Sequence, residues 1–141
     1  MKSPEVRKLY NSWQSDSFPK QLDWVEVNNV RGWSGQRVDF RFPIVSISGE
    51  NGIGKSTILQ ACAAVYGREK GDTVKPYYAS DFFSNTPWDA VSGVEITYSA
   101  RQGEKTITQS IRKPSDRWRG HPERPIRSVV FLDLRRTQPL Y

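Results

Sequence analysis

Nine residues near the middle of the chain have the types and spacing of a phosphate-binding loop, or P-loop. Two glycines are separated by four residues, and a lysine and a serine follow directly. The glycines let the backbone come close enough for its N–H groups to face phosphate oxygens. The lysine would reach the β- and γ-phosphates, and the serine hydroxyl would be a ligand of Mg²⁺. The predicted nucleotide-binding residues are Gly49, Glu50, Asn51, Gly52, Ile53, Gly54, Lys55, Ser56 and Thr57.

The elements on either side of this loop agree with the interpretation. A short β-branched run, 44–48, predicts a strand that leads into the loop, and the spacing of apolar residues predicts a helix over 57–66. Gly67 is well placed to cap that helix. A loop that opens a helix places unpaired amides and the positive end of the helix dipole beside an anion. The ligand that we expect is ATP with Mg²⁺, and the alternative is a glycine turn that binds nothing.

The remaining pattern predicts an α/β fold in which antiparallel hairpins flank the P-loop strand and helix. Residues 22–30 and 38–42 alternate apolar and polar side chains around a glycine-containing turn, which is typical of a hairpin. Residues 91–112 predict a second hairpin with its turn at 101–104. A continuous apolar run at 128–134 predicts a strand covered on both faces. Residues 1–20 are expected to form an arm or a short amphipathic helix, and residues 21–141 the main domain.

The same segments resemble a known family. The run Val25-Glu26-Val27-Asn28-Asn29-Val30-Arg31-Gly32, followed by Ile47-Ser48-Gly49-Glu50-Asn51-Gly52-Ile53-Gly54-Lys55-Ser56-Thr57, is similar to the N-terminal lobe of ABC-class P-loop ATPases. The most similar members are the structural-maintenance-of-chromosomes proteins, the recombination-repair ATPases and the phage-defence ATPases of the "overcoming lysogenization defect" (OLD-like AAA) type. The resemblance is close over 22–67 and looser over 91–112. It implies a P-loop NTPase fold in which this chain is an N-terminal lobe, incomplete without a C-terminal lobe.

The resemblance also implies further site residues and partners. Gln138 follows the predicted strand 128–134, where the family has a glutamine that ligates Mg²⁺ and senses the γ-phosphate; the alternative is a polar turn residue. A second interpretation makes Asp133 the metal-binding aspartate at the end of that strand. The family's signature motif and its catalytic glutamate are missing, so the catalytic residues are unknown. A second protomer or a C-terminal lobe is the implied partner for hydrolysis.

Two groups of residues are candidates for contacts beyond the phosphates. Arg31 and Trp33 lie in the first hairpin turn, where the family places residues near the nucleotide base or DNA; ordinary packing in a turn is the alternative. The segment 112–127 is rich in arginine and includes Trp118, and such a loop could follow a nucleic-acid backbone. A solvated loop, or one that docks on another part of the protein, is the alternative. The candidate nucleic-acid contacts there are Arg117, Arg119 and Arg124.

Composition bounds the remaining possibilities. The net charge of +6 comes entirely from the last third, since residues 1–100 carry 11 basic and 11 acidic side chains and residues 101–141 carry 10 and 4. This asymmetry is compatible with a polyanionic partner, a phosphate-bearing ligand or an acidic protein surface. The chain contains no run of 18 apolar residues, so we expect no membrane contact and a cytoplasmic location. Its single cysteine, Cys62, is expected to be a buried structural thiol.

Three functions are compatible with these features. The first is the ATP-binding module of an ABC-class ATPase whose ATP-driven dimerisation or conformational change acts on DNA, in repair, chromosome organisation or phage defence. In that case the full-length protein is an ATPase and the chain alone turns over little ATP. The second is a nucleotide sensor that controls a partner effector with little hydrolysis. A kinase or GTPase is least favoured, because the sequence has no N-K-x-D motif to read a guanine base.

Overall fold

The computed structural model describes residues 3–15, 18, 20–87 and 91–133, and these form a mixed α/β structure. Three helices and four strands follow one another along this part of the chain. In chain order they are α1 (Pro4–Gln14), β1 (Lys20–Val30), β2 (Trp33–Asp39), α2 (Lys55–Ala64), α3 (Ala79–Phe82), β3 (Val94–Gln102) and β4 (Lys105–Lys113).

The four strands form one antiparallel sheet in the order β2-β1-β3-β4. The two predicted hairpins form, and each has a tighter turn than expected: Arg31-Gly32 in the first and Gly103-Glu104 in the second. The return strand of the first hairpin, predicted at 38–42, is instead Trp33–Asp39, because the shorter turn lets pairing begin earlier. The pairing of β1 with β3 joins the hairpins into one sheet, and Val27 lies opposite Ile96 in that register. The sequence did not predict this joining, because strand pairing between distant segments leaves no local pattern.

Helix α2 packs on the inner face of the sheet and forms the core with it. Ile58, Ala61 and Val65 on the helix side are buried with Val25 and Tyr98 from the sheet. The helix predicted over 57–66 is therefore confirmed, with bounds Lys55–Ala64. The predicted cap at Gly67 is wrong, because Val65 is the C-cap and the Gly67 amide donates to the Pro125 carbonyl oxygen. Because α2 begins where the glycine loop ends, the core fixes the position of the loop.

Two predicted strands are not formed in the described residues. Among the described residues, 44–48 and 128–133 belong to no strand of the sheet. Both predictions rested on β-branched apolar runs, and such runs need neighbouring strands to pair with. The side chains are accordingly exposed: Ile44 is 71% exposed and Leu132 is 80% exposed. Leu134, the last residue of the second predicted strand, lies outside the described residues.

Helix α1 confirms the expectation of a short amphipathic helix near the N-terminus. Ser3 caps it by accepting a hydrogen bond from the Val6 amide, and proline occupies the first helical position. None of its residues is buried, and Val6 and Tyr10 remain exposed. In the parts of the chain that are described, no helix is long and apolar enough to cross a membrane.

Candidate phosphate-binding site

The glycine loop contains backbone conformations that favour glycine. Gly52 and Gly54 have φ angles of 83° and 98°, a region that other residues rarely adopt. Gly54 is the N-cap of α2, and the four amides that begin a helix have no partner within the helix. Residues 49–53 are exposed, so a phosphate can approach these amides and the positive end of the helix dipole.

Lys55 lies inside the curve of its own loop. Its Nζ donates one hydrogen bond to the Gly49 carbonyl oxygen, at 2.7 Å, and another to the Glu50 carbonyl oxygen. These bonds hold the ammonium group against the first two residues of the loop, where it can also bind an incoming anion. An ammonium group has three donors, so one is left for a phosphate oxygen while both carbonyl bonds are kept.

The two hydroxyl residues after the lysine differ in exposure. Ser56 is exposed at the start of α2, as a metal ligand must be. Thr57 is 2% exposed and packs in the core. Among the described residues, no group of three or more His, Cys, Asp or Glu side chains could hold a metal ion. Mg²⁺ commonly keeps several waters and takes its other ligands from phosphates and one or two protein groups, so Ser56 fits a site of that kind.

Trp33 contacts the loop directly. Its Nε1 donates a hydrogen bond of 3.3 Å to the Gly54 carbonyl oxygen. A Cβ atom at Gly54 would lie 2.4 Å from that nitrogen, so the glycine is required by this contact as well as by its backbone angle. The sequence left open whether Trp33 lies near a nucleotide base or is a packed turn residue. The structure places its half-buried indole against the P-loop.

Arg31, the other turn residue singled out by the sequence, is held by the two neighbouring helices. Its Nη1 donates to Gln60 Oε1 at 2.7 Å, and its Nη2 donates to the Phe82 carbonyl oxygen at 2.8 Å. The guanidinium also lies over the Phe83 ring, 5.1 Å from its centroid. Arg31 has a positive φ of 45°, and these contacts stabilise that uncommon backbone conformation. It therefore ties the hairpin turn to α2 and α3.

The predicted basic loop separates into exposed and buried arginines. Arg117 and Arg119 are exposed, and the Arg119 backbone pairs with that of Arg112 on β4 through hydrogen bonds of 3.0 and 2.8 Å. Arg124 has a different environment, since it is 7% exposed. It donates to three carbonyl oxygens, and burial is the main cause that lowers its pKa. The acceptors are Ala64 at 2.9 Å, Tyr77 at 2.6 Å and His121 at 3.0 Å.

His121 is part of the same packed region and is half-buried. Its Nε2 accepts a hydrogen bond from the Ala79 amide at 3.3 Å. Its ring packs against Tyr78 and Trp118, with centroids 5.2 and 6.2 Å away. Burial lowers the pKa of His121, and the charge of Arg124 lowers it further. Trp118 is therefore engaged with a protein ring in this loop.

Two predicted metal-site residues lie at or beyond the end of the described chain. Gln138 lies outside the described residues. Asp133 is described, but the segment that carries it, 128–133, has no strand partner in the described residues. Its segment is instead anchored by Phe131, whose amide donates to Tyr77 Oη at 3.2 Å.

Sequence reasoning missed two residues beside the loop. Gln36 lines a cavity that also contains Trp33 and Ile53, and Gln60 orients Arg31. No local signal marks either of them. Gln36 reaches the loop only through the hairpin register, and Gln60 meets Arg31 only because α2 packs beside the turn.

A comparison with protein families agrees with this geometry. The family model described as an AAA domain matches residues 25–122, which is more than half of the chain. The match includes the first hairpin from Val25 onward, the P-loop, α2 and the whole second hairpin. No curated protein and no solved structure matches the chain. The chain thus belongs to the AAA domain family, whose members are P-loop ATPase-like proteins that bind nucleotides.

Proposed function

We propose that this chain is the ATP-binding module of an ABC-class, SMC-like ATPase and that it holds ATP–Mg²⁺ through residues 49–57. The observation that carries the proposal is the position of Lys55 across an exposed loop that opens α2. Backbone amides and one ammonium group then surround the β- and γ-phosphates, while Ser56 ligates the metal. In the family, Gln138 would complete the metal site.

The exposed apolar segments favour a further lobe or a second protomer as the partner. Residues 44–48 and 128–133 present β-branched side chains to solvent, and Val130 is 70% exposed. A cavity of about 520 Å³ lies beside residues 128–132, and it is also lined by Leu59, Cys62 and Tyr66. Contiguous exposed apolar surface of this kind marks an interaction site. A C-terminal lobe that adds strands here would pair both backbones and cover the side chains.

Hydrolysis on this proposal requires groups from that partner. Orientation of the attacking water needs a carboxylate, and the γ-phosphate needs further positive or hydrogen-bonding groups. Glu50 is the acidic residue of the loop itself, and its carbonyl oxygen accepts a bond from Lys55. We therefore expect the chain alone to bind ATP and to turn it over negligibly.

DNA is the proposed partner of the exposed part of the basic loop. Arg117 and Arg119 lie on a segment that is fixed against β4 by backbone hydrogen bonds. Neutralising both as Arg117→Gln/Arg119→Gln should reduce the slope of log Kd against log salt for duplex DNA by about 2, since each phosphate contact contributes about 0.9. The matched control is Lys8→Gln/Lys105→Gln, which removes the same charge from exposed positions on other elements. Equal slopes for both double variants would remove this part of the proposal.

ATP binding by the Lys55→Ala variant tests the central part of the proposal, that the P-loop binds ATP. A titration with fluorescent ATP in the presence of Mg²⁺ should show affinity weakened by at least about tenfold, the equivalent of one lost charged hydrogen bond of about 1.5 kcal/mol or more. Lys70→Ala is the matched control, because Lys70 is an exposed lysine in a loop after α2. Equal affinity in wild type and Lys55→Ala would refute the P-loop assignment.

The nucleotide-sensor alternative shares the site and differs in turnover. The favouring observation is that the described residues contain no group of three or more His, Cys, Asp or Glu side chains that could hold a metal ion. ATPase activity measured on the chain together with its partner lobe separates the two functions. Turnover that is lost in Lys55→Ala supports the ATPase, and binding without turnover supports the sensor.

A further inference from the structure

A small cavity lies between the first hairpin turn and the P-loop. It has a volume of about 430 Å³, within the range of roughly 300–1,000 Å³ typical of small-ligand pockets. The turn and the start of β2 form one wall, and the loop residues form the other. Its lining residues are Arg31, Gly32, Trp33, Gln36, Gly52 and Ile53. Because the cavity adjoins the P-loop, a nucleotide whose phosphates bind the loop would have its base in or near this cavity.

The apolar surfaces of this cavity are flat and accessible. Trp33 is half-buried, and Ile53 on the opposite wall is 63% exposed. Gly32 and Gly52 add backbone without side chains, and a Cβ atom at either would meet nothing within 4 Å. Both side chains therefore offer accessible apolar surface to a planar base in the cavity. Stacking on an indole tolerates different bases, because every base has a π face.

The polar side chains of the cavity already have partners in the protein. The indole has one N–H, and it is bonded to the Gly54 carbonyl oxygen at 3.3 Å. Gln36 Oε1 accepts from the Ser34 amide at 2.7 Å, and its Nε2 donates to Ser34 Oγ at 3.2 Å. Both terminal nitrogens of Arg31 donate to acceptors on α2 and α3. If these groups were to bind the edge of a base, they would have to give up their hydrogen bonds within the protein.

From this arrangement, and resting on the proposed nucleotide-binding function, we infer that the site takes purine nucleoside triphosphates by stacking and shape and does not distinguish adenine from guanine. Discrimination between the two purines requires protein groups dedicated to the 6-position and to N1. A site with such groups rejects the wrong ligand strongly, because its polar groups are then left unpaired. Here those groups are paired within the protein whichever purine is bound, so ATP and GTP should bind alike.

Equilibrium titrations with ATP, GTP, CTP and inorganic tripolyphosphate, each with Mg²⁺, test the inference. Wild-type affinities for ATP and GTP should agree within about fivefold, and CTP should bind more weakly because it has a single ring to stack. Trp33→Ala should weaken ATP and GTP by a similar factor of about tenfold or more, and leave tripolyphosphate within about threefold. Trp33→Phe keeps an aromatic face but loses the N–H that donates to Gly54, so it should recover most of the ATP and GTP affinity that Trp33→Ala loses.

The matched control is Trp24→Ala, because Trp24 lies on β1 and does not line the cavity. The Arg37 guanidinium covers its ring, with Cζ 4.2 Å from the ring centroid. ATP binding more than about 50-fold tighter than GTP binding would overturn the inference, and so would unchanged ATP affinity in Trp33→Ala. Failure of both ATP and tripolyphosphate to bind wild type would instead overturn the proposed function on which the inference rests.

Discussion

Replacing Arg124 by methionine removes a buried guanidinium while keeping most of its apolar volume. The side chain donates to the carbonyl oxygens of Ala64, Tyr77 and His121, and it lies 4.8 Å from the centroid of the Tyr78 ring. A hydrogen bond to a charged group contributes about 1.5–3 kcal/mol, and removal of one partner leaves the carbonyls unpaired. The variant no longer has a charge to bury, and removal of that desolvation cost offsets part of the loss. We expect the free energy of unfolding to fall by about 3–4 kcal/mol.

Urea denaturation followed by tryptophan fluorescence and far-UV circular dichroism measures this change. Arg119→Met is the matched control, because Arg119 is an exposed arginine of the same loop, and its variant should stay within about 0.5 kcal/mol of wild type. A loss smaller than about 1 kcal/mol for Arg124→Met would refute the reasoning, since a freely exposed arginine would give such a value. It would also restore Arg124 as a candidate for contact with nucleic acid.

Three further predictions concern single side chains. Gly120→Ala should destabilise the chain by about 2–4 kcal/mol in the same urea assay, because Gly120 has a φ of 94° and a Cβ atom there would lie 2.1 Å from the Ser110 carbonyl oxygen. The pKa of His121 is lowered from 6.5 by burial, so the folded state binds fewer protons than the unfolded state. Its contribution to stability should be complete above pH 6.5 and decline as the pH falls below it, and His121→Gln should remove that part of the pH dependence. Burial raises the pKa of the Cys62 thiol to about 12, so a thiol reagent at pH 8 should react far more slowly with the folded chain than with the chain in urea.

Local patterns predicted the parts of the fold that local interactions determine. The period-two alternation over 22–30 and 94–98 is what a sheet with one buried face requires, and both hairpins formed. The glycine spacing at 49–54 correctly predicted a loop that opens α2, because positive φ angles at Gly52 and Gly54 need glycine.

The same reasoning failed where the outcome depends on distant partners. Residues 44–48 and 128–133 have strand-like composition, but composition cannot provide the neighbouring strand that the backbone needs. The roles of the arginines were equally hidden. Nothing in the sequence distinguishes three arginines whose environments differ. Arg31 donates hydrogen bonds to two helices, Arg119 is exposed, and Arg124 is a buried donor to carbonyl oxygens. Only tertiary packing determines these differences.

An NMR titration of the labelled chain with ATP–Mg²⁺ tests the central claim most directly. The account predicts the largest amide shifts at Gly52, Gly54, Lys55 and Ser56, together with a shift of the Trp33 indole N–H, which is bonded to the loop. The Lys55→Ala variant should show much smaller shifts at the same nucleotide concentration, because its affinity for ATP is weakened. Shifts at residues outside the loop alone, or shifts that persist unchanged in Lys55→Ala, would contradict the assignment of the loop as the phosphate-binding site.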